Sequence, residues 1–364
     1  MSRTAGKMPY VSLDADEAGP GFAGESAALA RWWQTAPVRS WGAAVLLTAV
    51  VAATSVTSGC SSDRPEPTLA PPLEDLGDVG PPAYDPGLEA AAAVLALVPQ
   101  DATSLSVTDF DQVRLLLGAS LLTGQDPSPV RERFWSRAAA QAPLLSEGLL
   151  RPVDAELAAD YGFTQDDVKW EAAFTGPAGD GFVLALRDDL QMAGVERAVA
   201  DGVGPLAGAE VDPILRLVTV GTTDDPETSW AVSEEIAAMV GPAAANATYV
   251  ERDCLDFAQT LGTDATTLAA VPADDVAALE PLELFSVTLG GELATVRMGP
   301  EREDAFERLR LAGNLPATEP ELGLGFADGV ADPVGGRIGY VMPDAAVAAR
   351  LVRERKLPFA VCPA

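Results

Sequence analysis

The side chains in this sequence that could do chemistry are carboxylates, because the chain contains no histidine and only three cysteines. Without imidazole, Ser-His-Asp catalysis, Cys-His catalysis and histidine-based zinc sites are excluded. Pairs of adjacent acids recur, as at Asp166-Asp167, Asp188-Asp189 and Asp274-Asp275. Neighbouring residues do not converge on one point, and the spacing of an EF-hand is absent. We therefore interpret these pairs as solvated surface and predict no catalytic residue, no metal site and no cofactor.

A cluster of arginines is the second candidate for chemistry, and it lies in a segment, residues 119–165, that we interpret as an insert. A helix is predicted there, with Ser128 as its cap and Pro129 as its first residue. The candidate contact residues are Arg131, Arg133, Phe134, Trp135 and Arg137. In a chain of net charge -30 such a cluster could hold an anionic ligand or an acidic partner surface. The alternative is that the arginines pair with the chain's own acids.

An apolar stretch near the start of the chain indicates export. Residues 41–58 carry no charge and follow Arg31 and Arg39, which is the pattern of a secretion signal. The residues 57–60, Thr-Ser-Gly-Cys, resemble a bacterial lipobox. That resemblance implies cleavage before Cys60, attachment of a diacylglycerol through its sulfur with palmitate among the acyl chains, and a location on the outer face of the cell membrane. The alternative is an uncleaved signal anchor with an extracellular domain, because 18 apolar residues approach the length of a spanning helix.

The other two cysteines, Cys254 and Cys362, form an even pair once Cys60 is lipidated. In an oxidising compartment such a pair predicts a disulfide, and two buried free thiols are the alternative. The strong negative charge of the chain repels nucleic acid, so we expect no nucleic-acid partner.

The order of elements is repeated along the chain. Each repeat is predicted to run strand, helix, hairpin, helix, strand, helix, and Asp109-Phe110 and Asp256-Phe257 begin the first helix of the two repeats. The predicted fold class is α+β, with antiparallel or mixed sheets in two related modules. We divide the chain into a leader with the signal peptide (1–59), a tether rich in proline and acids (60–88), module 1 (89–242) with the helical insert (119–165), and module 2 (243–364). The insert follows from spacing, because Asp109 and Asp256 are 147 residues apart whereas Gly202 and Gly313 are only 111 apart.

Several segments resemble a group of uncharacterised exported lipoproteins from high-GC Gram-positive bacteria. The segments are ALVPQDATSLSVTDFD, YGFTQDDVKWEAAFTGP, VERAVADGVGPLAG, GRIGY and LPFAVC. The resemblance implies a cell-envelope lipoprotein and carries over no active residue.

The function that these observations favour is a non-enzymatic protein that binds an envelope protein or an anionic ligand. We expect its contact at a cleft between the modules or at the insert helix. The alternative is a hydrolase of the cell envelope that uses two carboxylates distant in sequence.

Overall fold

The computed structural model describes residues 81–261, 271, 273–314 and 320–363. Cys60, the apolar stretch 41–58 and most of the predicted tether lie outside the described residues. Within them, no helix combines the length and the apolar character that crossing a membrane requires.

The molecule is built on one antiparallel sheet of ten strands. The strands are β1 Ser104–Asp109, β2 Val168–Gly176, β3 Gly179–Leu186, β4 Glu210–Asp212, β5 Leu217–Val220, β6 Ala247–Arg252, β7 Leu284–Gly290, β8 Leu293–Arg297, β9 Ala327–Asp332 and β10 Arg337–Val341. The helices are α1 Ala90–Ala93, α2 Phe110–Leu116, α3 Ser128–Gln141, α4 Asp154–Glu156, α5 Met192–Ala200, α6 Glu234–Val240, α7 Phe257–Leu261, α8 Ala273–Ala277, α9 Ala305–Asn314, α10 Pro320–Gly325 and α11 Ala345–Arg353. The fold is therefore of the α+β class, as predicted.

The strand order places β1 beside β6 in the middle of the sheet. Outward from this pair the order is β1-β2-β3-β5-β4 on one side and β6-β7-β8-β10-β9 on the other. The central strands pair in antiparallel register, with Ser106 opposite Tyr249. We call the strands from β1 to β5, with their helices, the first half of the sheet, and those from β6 to β10 the second half.

Each half ends in a hairpin where the sequence predicted a single strand. β4 precedes β5, and β9 precedes β10, as antiparallel partners. Both additional strands lie at an edge of the sheet, and their side chains are mostly exposed or half-buried. Because an edge strand with exposed side chains does not alternate clearly between apolar and polar residues, hydrophobic periodicity did not reveal β4 or β9.

Three buried clusters cover the sheet. The first half packs α2, α3 and α5 against one face, with Phe110, Phe134 and Val195 in its core. On the same face, the second half packs α9 and α11 around Phe285 and Tyr340. On the opposite face, α1, α6 and a short turn of helix at Trp230–Val232 pack against the first half and against β6 and β7.

The start of α2 has the local chemistry that the sequence predicted. The carboxylate of Asp109 accepts a hydrogen bond of 2.9 Å from the backbone N–H of Gln112, and Phe110 is fully buried. Asp256 accepts a bond of the same length from the backbone N–H of Gln259. The two Asp-Phe pairs therefore act as helix caps with a packed aromatic ring.

Two helix starts differ from the prediction. Pro127, not Ser128, is the cap of α3, and the Ser128 side chain makes no capping bond. Helix α9 begins at Ala305, whereas the sequence predicts its start at Pro300, because proline favours the first position of a helix. Glu301 has a φ of 58°, in the left-handed region, so the backbone between Pro300 and Ala305 does not continue a helix.

Candidate functional site

The insert helix α3 is held against the core through its aromatic side chains. Phe134 and Trp135 are both buried, and the Trp135 ring meets the Phe110 ring edge-on at 5.5 Å between centroids. The Arg151 guanidinium lies 4.7 Å from the centre of the Trp135 ring. Trp135 and Phe134 therefore serve the packing of α3, although the sequence placed both in a candidate contact surface.

A buried carboxylate fixes the same helix. Asp166 is fully buried and accepts bonds of 2.9 Å from Arg131 and from the indole N–H of Trp135. Arg131 also lies 3.6 Å from Asp154. The guanidinium of Arg131 thus binds acids inside the protein, which is the alternative that the sequence analysis gave for the arginine cluster.

The remaining arginines of the cluster have different surroundings. Arg137 is exposed and donates a hydrogen bond of 3.1 Å to the carbonyl of Leu117, which ties α3 to the end of α2. Arg133 is exposed. Of the five residues predicted at a contact, Arg133 and Arg137 are the two that a partner could reach.

The predicted disulfide between Cys254 and Cys362 is present, with the two Cα atoms 4.9 Å apart. It fastens the last described residues beside β6. Next to it, the backbone N–H of Cys362 donates to the carbonyl of Leu255 at 2.9 Å. The guanidinium of Arg308, fully buried, donates to the carbonyls of Phe359 and Val361.

The hydrolase alternative requires two acids in one cleft, and the buried carboxylates of Asp109 and Glu171 do not meet this condition. Burial raises the pKa of Asp109 to about 6, and burial also raises the pKa of Glu171 above its ordinary value. Asp109 lies opposite Trp170 and Glu171 lies opposite Thr108, so the two carboxylates leave the sheet on opposite faces. Glu171 accepts a bond of 2.9 Å from the Leu149 N–H, and the Ser146 hydroxyl and Gln165 amide also donate to it. Its oxygens therefore hold the loop after α3 on the sheet.

The junction between the halves carries contacts that tie them together. Arg353 at the end of α11 donates to the carbonyl of Leu144 in the first half and lies 3.4 Å from the carboxylate of Glu147. Within the second half, Arg355 forms an ion pair with Glu251, which also accepts a hydrogen bond from the Tyr249 hydroxyl. Ser104 and Ser106 of β1, which pair with Glu251 and Tyr249, are half-exposed at this junction.

In the part of the chain that the structure describes, exposed apolar side chains lie on the sheet of the second half, on the face opposite α9 and α11. Leu293, which is 60% exposed, stands directly across from Val341. Val330, 70% exposed, stands across from Gly339. Because residues directly opposite each other in an antiparallel pair share a face, these side chains form one apolar surface. We call this surface, with Arg297 and Arg337 at its margin, the open face.

The corresponding face of the first half is covered. Val183 and Ala185 of β3 and Leu217 of β5 are buried, and Trp230 packs in the same cluster with no exposed surface. The open face is therefore a feature of the second half, where the segment after β10 leads instead to α11 on the other side of the sheet.

The positive charge of Arg297 at the open face is uncompensated. Arg297 lies directly across from Arg337, and like charges in such a position repel. Arg337 has an ion pair of 2.9 Å with Asp332, whereas in the part of the chain that the structure describes Arg297 has a hydrogen bond to the Thr288 hydroxyl and no ion pair. Burial and the charge of Arg337 lower the pKa of Arg297. The open face thus offers apolar contact beside a cation that lacks an anion.

Sequence reasoning missed the open face. Apolar and polar residues alternate in LATVR, residues 293–297, and this pattern correctly predicts that Ala294 and Val296 lie in the core. It places Arg297 on the opposite face of the strand, where a solvated arginine is ordinary. The signal that sets this surface apart is Leu293, an apolar residue on the polar side of that pattern, and its neighbours across the sheet come from β9 and β10.

Groups of three or more potential metal ligands are absent from the described residues. A comparison of the chain with protein-family models, with curated proteins and with solved structures finds no match.

Proposed function

We propose that the protein is a lipid-anchored, non-enzymatic binding protein of the bacterial cell envelope, and that its open face receives an acidic protein surface. The observation that carries the binding role is the combination of exposed Leu293 and Val330 with an uncompensated Arg297. The location rests on the sequence, through the lipobox-like residues before Cys60 and the apolar stretch ahead of them.

The two halves are proposed to be related modules, as the repeated order of elements in the sequence suggested. The identical order of strands outward from β1 and from β6, and the Asp cap at the start of both α2 and α7, support this relation. On this proposal the halves differ where function differs, since the first gained the insert and the second kept an uncovered face.

Charge and apolar area together favour a protein partner over a small anion. An apolar surface flanked by arginine is typical of protein interfaces, where desolvation strengthens the bond between guanidinium and carboxylate. The open face consists of side chains from neighbouring strands, whereas a small ligand would need a concave site. The partner must bring a carboxylate to Arg297 and apolar side chains to Leu293 and Val330.

A photoreactive amino acid at Val330 is expected to form a discrete protein adduct in native membranes, because Val330 lies in the proposed interface. The same amino acid at Ala178, exposed in the turn between β2 and β3, is expected to form none. Immunoblotting measures the adducts, and mass spectrometry of the cross-linked peptide is expected to find acidic residues in it.

The contribution of charge is tested by two matched variants. Arg297→Gln is expected to reduce the Val330 adduct at least about tenfold, as the loss of a charge-assisted contact would. Arg310→Gln removes an exposed arginine of α9, whose partner is Glu307, and is expected to leave the adduct unchanged. Thermal unfolding shows that both variants fold. An adduct of twice the chain mass, or one that persists in Arg297→Gln, contradicts the proposed partner.

Replacing Cys60 by serine is expected to release the chain from the membrane, because the sulfur is the proposed site of acylation. Fractionation of cells that express Cys60→Ser should move the protein from the membrane pellet to the medium. Retention in the membrane at the wild-type level would instead indicate an uncleaved signal anchor.

A further inference from the structure

The described chain begins at one end of the first half. Tyr84 packs against Trp170, with 6.5 Å between the ring centroids. Burial has the largest effect on the pKa of Tyr84, and the charges of Asp85 and Asp188 add to it, so that the pKa is raised to about 12. Trp170 lies opposite Asp109, where β1 ends and α2 begins. The first described residues therefore pack at this end of β1 and β2.

Large apolar side chains are exposed at the same end. Leu115 is 65% exposed and lines a surface depression of about 470 Å³ with Ser120, Lys169 and Arg187. Leu121, 87% exposed, follows Ser120 directly. These residues place an unburied apolar surface next to the point where the chain enters.

A third apolar residue belongs to this end through Arg187. The Arg187 side chain donates to the carbonyl of Leu122, and the Arg216 side chain donates to the carbonyl of Arg187 at 2.8 Å. Arg216 ends the turn that carries Ile214, which is 88% exposed. Leu115, Leu121 and Ile214 thus lie at the same end of the sheet as Arg187, and we call this part of the molecule the Arg187 end.

The charges at the Arg187 end are compensated, although the whole molecule is acidic. Lys169 pairs with Asp188 at 3.5 Å, and Arg187 pairs with Asp189 at 3.3 Å. Arg137 nearby is exposed and bonds to the Leu117 carbonyl, which adds a cation. A surface on which the charges are compensated can approach lipid headgroups, whereas the rest of the molecule, in a chain of net charge -30, repels anionic lipid.

The length of the chain between the anchor and the body adds a geometric reason. Twenty residues, 61–80, separate Cys60 from Pro81 in the sequence. β9, which carries the strongly exposed Val330, lies six strands from β2, or about 29 Å across the sheet. The described residues closest in sequence to the proposed anchor therefore lie near the Arg187 end and far across the sheet from β9.

We propose that the Arg187 end rests on the outer face of the membrane that holds Cys60, with Leu115, Leu121 and Ile214 in the headgroup region. This inference rests on the proposed lipid anchor. It places the open face away from the lipid, where a partner can reach it. Because the anchor already confines the protein to the surface, weak apolar contacts suffice to orient it.

The test uses the full, acylated chain in vesicles of phosphatidylcholine with phosphatidylglycerol. A photoreactive amino acid replaces Leu121 or Ile214, and Val330 serves as the matched exposed control. Mass spectrometry measures covalent lipid adducts, and we expect about tenfold more adduct from Leu121 and Ile214 than from Val330. Adding Leu115→Glu to the Leu121 probe is expected to reduce its lipid adduct, with the chain still membrane-bound.

The outcomes separate this inference from the anchor itself. Equal lipid adducts at Leu121 and Val330 on a membrane-bound chain would overturn the orientation and leave the anchor standing. In native membranes, a protein adduct at Leu121 in place of lipid would also overturn it and would identify a protein contact there. Wild-type chain that stays off membranes, as expected only for Cys60→Ser, would overturn anchor and orientation together.

Discussion

Replacing Cys254 and Cys362 together by serine is expected to lower the free energy of unfolding by about 4–5 kcal/mol. The disulfide closes a loop of 108 residues, and the chain-entropy treatment assigns loops of that length this cost in the unfolded state. The native contacts of the C-terminal segment do not depend on the bond. Val361 and Phe359 are fully buried, and Arg308 binds their carbonyls, so the variant retains these contacts in the folded state.

Urea unfolding followed by tryptophan fluorescence measures this effect. Reductant should lower the stability of the wild-type protein to that of the double serine variant and leave the variant itself unchanged. A loss below about 1 kcal/mol would mean that the unfolded chain keeps the two segments close without the bond. A double variant that fails to fold would show instead that the disulfide is required to place the C-terminal segment.

The elements that the sequence predicted well are those whose pattern follows from burial. Strand β3 is buried on both faces. Its residues Phe182, Leu184 and Leu186 face α2, α3 and α5, and its residues Val183 and Ala185 face the cluster around Trp230 on the other side of the sheet. A nearly continuous apolar run therefore marks a central strand. The disulfide followed from counting cysteines in a chain that the sequence predicts to be exported. For β3 the information lies in residues that are neighbours in sequence, and for the disulfide it lies in the number of cysteines.

The features that the sequence did not reveal depend on residues that are distant in sequence. The open face joins Leu293, Val330 and Val341 through pairings of β8 with β10 and of β10 with β9. Nothing local marks Val330, because it lies on an edge strand with exposed neighbours. The Arg187 end likewise combines a helix, a loop and a hairpin tip, which the sheet brings to one end of β1.

The arginine cluster shows the same limit at the level of single side chains. Arg131 and Arg133 are two positions apart and have the same chemistry, so sequence reasoning assigned them the same role. On a helix, two positions apart means a rotation of about 200°, which turns one side chain to the interior and the other to solvent. Arg131 reaches Asp166, 35 residues later, whereas Arg133 is exposed. Only the placement of α3 on the core decides which arginine is structural.

This difference predicts opposite outcomes for two conservative variants. Arg131→Met is expected to destabilise the protein by about 3–5 kcal/mol, because it leaves the carboxylate of Asp166 buried without its cation. Arg133→Met is expected to change stability by less than about 0.5 kcal/mol, since the side chain is exposed. Urea unfolding of the two variants under the same conditions measures both effects.

A second substitution identifies the cause of the expected loss. Asp166→Asn in the Arg131→Met background removes the unpaired charge, and the amide can still accept the indole N–H of Trp135. The double variant should therefore lose less stability than the sum of the losses in Arg131→Met alone and in Asp166→Asn alone, with a coupling energy of about 1–3 kcal/mol. Additive losses would show that Arg131 stabilises α3 through its aliphatic packing instead of its charge. Equal losses in Arg131→Met and Arg133→Met would contradict the interior position of Arg131 and return the whole cluster to the surface, as a candidate contact for an acidic partner.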